Sequence, residues 1–248
     1  MSRPLRFAVL GVGLAGVAVL LGLAFARMPG SGTTVHPYRD AAVAAAVAHR
    51  TANVVSAVNF DQRGLDTLGE ETILFGSVVA VAALLRPEDD ERVRPPRDGR
   101  GPLEAARLGG YVLLPVTIVI GADVVAHGHV TPGGGFQGGV VLATGLHLLY
   151  VAGGYRSLER LRPLAWYEST EALATASFAA MGFAGLAVAG SFLAKVLPLG
   201  TFGQLLSAGT VPVLNGVVGV AVASGCVVLL AQFIQQLHVV PARDGDGS

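Results

Sequence analysis

Along the chain, apolar residues gather in six long runs, each close to the length that a helix needs to cross a bilayer. They fall at about Leu5–Ala26, Leu68–Leu85, Gly110–Ala126, Gly138–Gly154, Ala172–Ala194 and Val213–Gln236. A helix rises 1.5 Å per residue, so ~20 residues cover the ~30 Å hydrocarbon layer. The second run is the least regular, because Glu70 and Glu71 sit at its start. The fold class expected is an all-α integral membrane protein of about six transmembrane helices.

The polar intervals divide these runs into two groups. Residues 86–108 are dense in charge, Pro and Gly, the signature of a solvated linker. Before it, residues 1–85 form a two-span unit, with a polar-leaning interval of ~40 residues long enough to need structure of its own. Within that interval the Ala-rich stretch 41–48, after Pro37, predicts a short helix. After the linker, residues 109–240 form a four-span unit, and 241–248 read as a disordered tail.

Composition agrees with a bilayer and excludes a water-soluble core. Hydrophobic residues make up 52% and charged ones 14%, against roughly 25% charged in soluble domains; mean hydropathy is +0.60. Glycine supplies 34 of 248 residues, so helices are expected to approach closely through small side chains. Gly185 with Ala189, and Ala221 with Gly225, lie four apart on one face, suited to a neighbouring protein or to packing within the chain. The first run follows Arg3 and Arg6 and ends Ala24-Phe25-Ala26, as a signal peptide would. At ~20 residues it exceeds the 7–15 of a signal core, so a retained anchor is expected.

Net charge is zero, but its distribution is not even. Twelve of the seventeen Lys and Arg residues lie in alternate segments: the N-terminus, 86–108, the interval after the fourth run, and the tail. The positive-inside bias then puts both termini in the cytoplasm. No basic patch with interleaved aromatics suggests nucleic acid. Cys226, alone and inside the last run, can form no intrachain disulfide and reads as buried packing.

Two polar strings carry the candidate chemistry. The first runs from Asn53-Val54-Val55 to Asn59-Phe60-Asp61-Gln62-Arg63-Gly64-Leu65-Asp66-Thr67-Leu68-Gly69-Glu70-Glu71. Thr67 and Glu70 have the spacing of a capping box, and acidic groups there meet the positive end of the helix dipole. That accounts for Asp66, Thr67 and one Glu, but not for the second carboxylate or for Arg63 beside Asp61 and Asp66. The second string is Asp123-Val124-Val125-Ala126-His127-Gly128-His129-Val130-Thr131-Pro132-Gly133-Gly134-Gly135-Phe136. Asp123 and His127 are one turn apart, and a carboxylate raises a neighbouring imidazole pKa toward a range useful for proton exchange. Pro132 and the three glycines break the helix, and broken backbone at membrane depth survives only when buried in protein or lining water. A structural turn and a proton- or cation-handling loop both fit. The glycines lack the Lys-Ser/Thr of a phosphate loop, and the His/Asp spacing matches no established metal site. His147 falls near the middle of the fourth run and needs a partner, and Lys195, closing the fifth, has the reach to snorkel to the interface.

Together the two strings resemble a known family. HGHVTPGGGFQGG is similar to the signature of the MnhB-like component of Mrp-type multisubunit Na⁺/H⁺ antiporters. VNFDQRGLDTLGEET resembles the MbhE-like two-span element that closes the C-terminal end of the large A component of the same antiporters. Gln62 stands where an aromatic is usual, and 86–108 fits neither element. The resemblance implies Na⁺ extrusion against H⁺ by an assembly with large complex-I-like subunits, with His129, Pro132, Phe136 and Glu70 at its motif positions. The ion or proton path candidates are thus Asp61, Asp66, Glu70, Glu71, Asp123, His127, His129, His147 and Lys195, around a structural motif of Pro132, Gly133, Gly134, Gly135 and Phe136. Nothing in the sequence binds iron–sulfur clusters or flavin, so no cofactor is expected. Membership of a related membrane-bound hydrogenase and a plain membrane scaffold are the competing readings.

The charge bias makes a direct prediction. Single cysteines placed near His129, but not within 86–108, should react with an impermeant thiol reagent in intact cells; the opposite pattern would invert the topology.

Overall fold

The computed structural model describes residues 3–28, 34–86, 91–93, 104–153, 164–236 and 239–241. Most of the 86–108 linker and the tail after Pro241 lie outside the described residues. Two compact units appear, 1–40 and 41–248.

The first unit is dominated by helix α1 (Arg3–Ala26). Its segment Phe7–Ala26 has mean hydropathy 2.5 and buries none of its residues. Such a helix has no water-stable face, so lipid or other membrane helices must surround it.

The second unit begins in helix α2 (Pro37–Ala48), which crosses the boundary between the two. Proline suits the first helical position because its missing N–H has no partner there anyway, and Asp40 meets the dipole in the first turn. Ala42 and Ala46, one turn apart, are its buried face. Next come the short helix α3 (Val54–Ala57) and a π-helical turn, Val58–Gln62, leading into α4 (Gly64–Leu84).

This departs from the capping-box expectation. Helix α4 starts at Gly64, three residues before Thr67, and its cap position, Arg63, makes no side-chain capping bond. The π-turn continues the helix backward, so Thr67 is buried inside it and its hydroxyl donates to the Asn59 carbonyl at 2.6 Å.

Helix α5 (Glu104–Ala126), which starts within the stretch expected to be linker, and α6 (Gly135–Gly153) form a hairpin around the glycine-rich turn. Helix α7 (Leu164–Ala189) leads through an irregular loop to α8 (Val211–Gln236). Five of the described helices are long and apolar enough to cross a membrane: α1, α4, α5, α7 and α8. Helix α6 occupies the position of the fourth predicted span and, at 19 residues with no Asp, Glu, Lys or Arg, extends ~28 Å.

The fifth span begins earlier than its predicted start at Ala172. Glu168 and Glu171 lie inside α7, while Lys195 lies beyond its end. In the linker, Glu91–Val93 (β1) pairs antiparallel with Val239–Pro241 (β2), so this part of the linker is clipped to the C-terminal end of the chain.

Helix α8 is the axis of the second unit, packed by α4, α5, α6 and α7. Its apolar stretch is 61% buried, against 11–22% for those of α4, α5 and α7. The core joins Val211, Leu214, Val218 and Val222 of α8 to Phe60 and Phe178, whose ring centroids are 6.3 Å apart. Glycines set the helix spacing. A Cβ at Gly138 would stand 2.8 Å from the Gly121 carbonyl oxygen, and one at Gly139 would stand 2.8 Å from the Gly219 carbonyl oxygen. Close backbone approach of this kind drives helix association where lipid removes the hydrophobic incentive.

Gly139→Val is therefore expected to force α6 from α8. Overpacking costs about 1–3 kcal/mol, which should lower the thermal midpoint in detergent by several degrees; an unchanged midpoint would show that α6 has slack.

Candidate functional site

The two polar strings meet at one end of the second unit. Asn53, which caps α3 by accepting from the Val55 and Ser56 amides, also reaches the glycine-rich turn. Its Nδ2 donates to the Gly128 carbonyl at 2.7 Å and the Thr131 carbonyl at 2.9 Å, and its backbone N–H donates to the His129 carbonyl at 3.0 Å. From the other side comes Asn215, fully buried in α8. Its Oδ1 accepts from the Gly135 N–H at 2.9 Å, and its Nδ2 donates to Ser56 Oγ at 3.0 Å and to the Val211 carbonyl at 3.1 Å.

The glycines fit this junction for steric reasons. Gly133 and Gly134 adopt φ of 152° and 140°, and Asn215 Oδ1 would lie 3.0 Å from a Cβ on Gly134. Gly135 begins α6 so close to α8 that a Cβ there would stand 2.5 Å from the Asn215 carbonyl oxygen. The turn is thus a packed structural junction. Pro132 is exposed at its rim, and Phe136 leans on the core.

His129 is buried in this junction, and its Nε2–H donates to the Leu205 carbonyl at 3.0 Å, tying the turn to the loop before α8. Its Nδ1 has no partner among the described residues. Burial pushes its pKa below 6.5, against the opposing pull of the backbone carbonyls of Leu205 and Gln204. Asp123 and His127 do share a helix face, 2.9 Å apart, with Asp123 exposed.

A second cluster involves His49, a residue outside both polar strings. The π-turn carries Asp61 toward His49 and Lys195: Asp61 Oδ2 is 2.6 Å from His49 Nδ1 and 3.0 Å from Lys195 Nζ. The side chains of Asp61 and Lys195 are only 8% and 11% exposed. Lys195 therefore does not snorkel away; it is held in an ion pair by a loop that leaves α7 six residues earlier. Burial lowers its pKa, and Asp61 pulls it back up. An open pocket of about 500 Å³ lies over this cluster, lined by His49, Asp61, Lys195 and residues of the loop from Ser191 to Leu199. Arg63 pairs with Asp66, and both side chains of that pair are exposed.

Deeper in the unit, Glu71 and Glu171 are 1% and 2% exposed, while Glu70 is exposed. A charge at the bilayer centre costs ~2.5–3.5 kcal/mol even on lenient scales, and such groups mark functional paths. Glu171 falls just before the apolar run that marks the fifth span in the sequence, and so carries no signal there. His147 is half-buried, with its Nε2–H donating to the Cys226 carbonyl at 3.3 Å. That bond serves helix packing. No group of three or more His, Cys, Asp or Glu able to hold a metal occurs among the described residues.

The fold and the site together define a multi-pass helical membrane protein with ionisable groups buried at and between its spans. Residues 105–228 match the family described as a domain related to the MnhB subunit of Na⁺/H⁺ antiporter, and the chain belongs to that family. It is 31% identical over 202 residues to an uncharacterised protein of Methanocaldococcus jannaschii, spanning 70% of this chain and 73% of that one. It is also 34% identical over 157 residues to a probable K⁺/H⁺ antiporter component of Rhizobium meliloti that combines the A and B parts, spanning 54% of this chain but 16% of that one. Among solved structures, it superimposes on a chain of the membrane-bound sulfane sulfur reductase, an archaeal respiratory membrane complex, with TM-score 0.71 and 27% identity, over 95% of this chain and 99% of the other. A chain of the Mrp complex from Dietzia sp. DQ12-45-1b superimposes with TM-score 0.67 and 25% identity, over 100% of this chain and 27% of that one.

His129 generates a pH prediction. Its folded pKa lies below the unfolded 6.5, so its contribution is fully present above pH 6.5 and is lost as pH falls toward the folded value. The thermal midpoint in detergent should drop below pH 6.5, and His129→Gln should make that drop shallower. An equally steep drop in the variant would remove His129 from the account.

Proposed function

We propose that this chain is an accessory membrane subunit of a multisubunit cation/proton antiporter, helping to form an ion or proton path and to hold the assembly together. The observation that carries it is the superposition of the whole chain on part of one chain of an Mrp complex, combined with the family match over 105–228. The match to an antiporter component combining A and B parts supports reading residues 1–85 as an element like the end of the A part, joined to an MnhB-like domain. In this reading the chain catalyses no chemical conversion, and Na⁺ and H⁺ are the ions exchanged. It sits in a prokaryotic cell membrane with both termini in the cytoplasm, the Asp61 cluster at the outer mouth, and large complex-I-like proteins as neighbours. The exposed α1 suits contact with such neighbours.

A second reading is favoured by one observation: the near end-to-end match to a chain of an archaeal respiratory membrane complex. There the same protein would sit beside redox partners. The proteins that co-purify in mild detergent separate the two.

Proteoliposomes holding the assembly, the assembly lacking this chain, or the chain alone should be given a Na⁺ gradient while internal pH is recorded. Only the complete assembly is expected to exchange. Exchange by the chain alone, or by the assembly without it, would overturn the accessory reading.

A further inference from the structure

We propose that Glu71 and Glu171 are two successive stations of a buried proton track between α4, α7 and α8, an inference that rests on the antiporter reading. Both side chains are almost fully buried, at 1% and 2% exposure. Among the described residues, neither Glu71 oxygen has a hydrogen-bond partner, nor has Glu171 Oε1, nor the Thr175 hydroxyl one turn further along α7. Four buried oxygens without partners, on two packed helices, are more than a bundle selected for stability alone retains.

Their order in depth follows from the packing. The start of α4 lies beside the loop that leaves α7, since a Cβ at Gly64 would stand 2.9 Å from Leu193 Cδ1, so α4 and α7 run antiparallel. The Glu171 carboxyl lies where α8 is open: a Cβ at Gly225 would meet Glu171 Oε1 at 2.7 Å and Val78 Cγ2 at 3.3 Å. Val78 follows Glu71 by two turns on the same face of α4, so Glu171 sits farther than Glu71 from the start of α4. Thr175, one turn from Glu171 toward the start of α4, falls between them in depth.

The charged neighbours of both carboxyls among the described residues are acidic. Glu71 lies within electrostatic reach of Glu70 and Glu171, and Glu171 within reach of Glu168 and the Cys226 thiol. His147 faces the same part of α8 but is bound to the Cys226 carbonyl. No ion pair to either buried carboxylate occurs among the described residues. A hard metal cation collects about six oxygens, whereas Val78 and Gly225 provide apolar walls. The proton is therefore the cation that fits. Each carboxylate takes up a proton from the station before it and releases one to the next, by way of Thr175 and water, with no net change in either group.

The intact assembly is treated with a lipid-soluble carbodiimide, which couples to protonated carboxyl groups within membranes, and modified peptides are mapped by mass spectrometry. Modification of Glu71 and Glu171, with exchange falling in proportion, is expected. Absence of modification at both, or protection of both by Na⁺ at constant pH, overturns the assignment to protons. In proteoliposomes, Glu171→Gln should slow exchange at least ~tenfold while the assembly co-purifies in normal amount, and Glu171→Asp should restore part of the rate. Normal exchange with Glu171→Gln, or failure of this neutral isostere to assemble, shows a packing role and overturns the track. Those results leave the antiporter reading intact, because that reading fails only if the assembly exchanges without the chain.

Discussion

Backbone that leaves a helix at the margin of a bilayer has to find its hydrogen bonds within the protein, and in this chain two asparagines meet that demand. A carboxamide both donates and accepts, so one side chain can serve unlike backbone groups at once. Asn215 accepts from the first amide of α6 while donating to Ser56 and to its own helix; Asn53 accepts from the start of α3 while donating to two carbonyls of the glycine-rich turn. Three parts of the sequence, about 75–160 residues apart, are thereby fixed to one point. The glycines are what that fixation requires, because a side chain at Gly134 or Gly135 would occupy the space of the Asn215 amide or backbone.

From that point the rest of the unit takes its arrangement. With one end anchored, α8 runs down the centre and receives four helices through small-residue contacts. The same anchor aligns α3 and the π-turn, and a π-turn widens the helix by one residue so that Asp61 is presented toward Lys195 and not along the α4 face. Helix α1, in the other unit, buries nothing and depends on what surrounds the chain.

The spans are legible in the sequence because lipid imposes a length and a composition that hydropathy reads directly. The family is legible because two long polar strings interrupt that pattern in a specific order. Part of what stays hidden arises because sequence patterns treat a charged residue as solvated. Glu168 and Glu171 push the predicted start of the fifth span to Ala172, although Glu171 is buried and α7 begins at Leu164. Thr67 and Glu70 have the spacing of a cap, but spacing carries no information on the π-turn that prolongs the helix upstream. Asn215 carries no charge and so raises no signal, although a lone amide in an apolar run is itself a request for a buried partner. His49 is silent because nothing near it in sequence pairs with it; its carboxylate partner lies twelve residues on.

The two buried acidic regions differ in a way that bears on function. Asp61 is held between His49 and Lys195, so a passing cation would have to compete with partners already in place. A carboxylate so satisfied orders its surroundings and resists exchange, since removing one partner leaves a buried charge uncompensated. Glu71 and the Glu171 Oε1 have no such partner among the described residues, so a positive charge reaching them would have no partner to displace. The path proposed for this chain would therefore rest on two kinds of acid. The paired one at the rim would fix the geometry of its mouth, and the unsatisfied ones inside would supply the places where a mobile positive charge can rest.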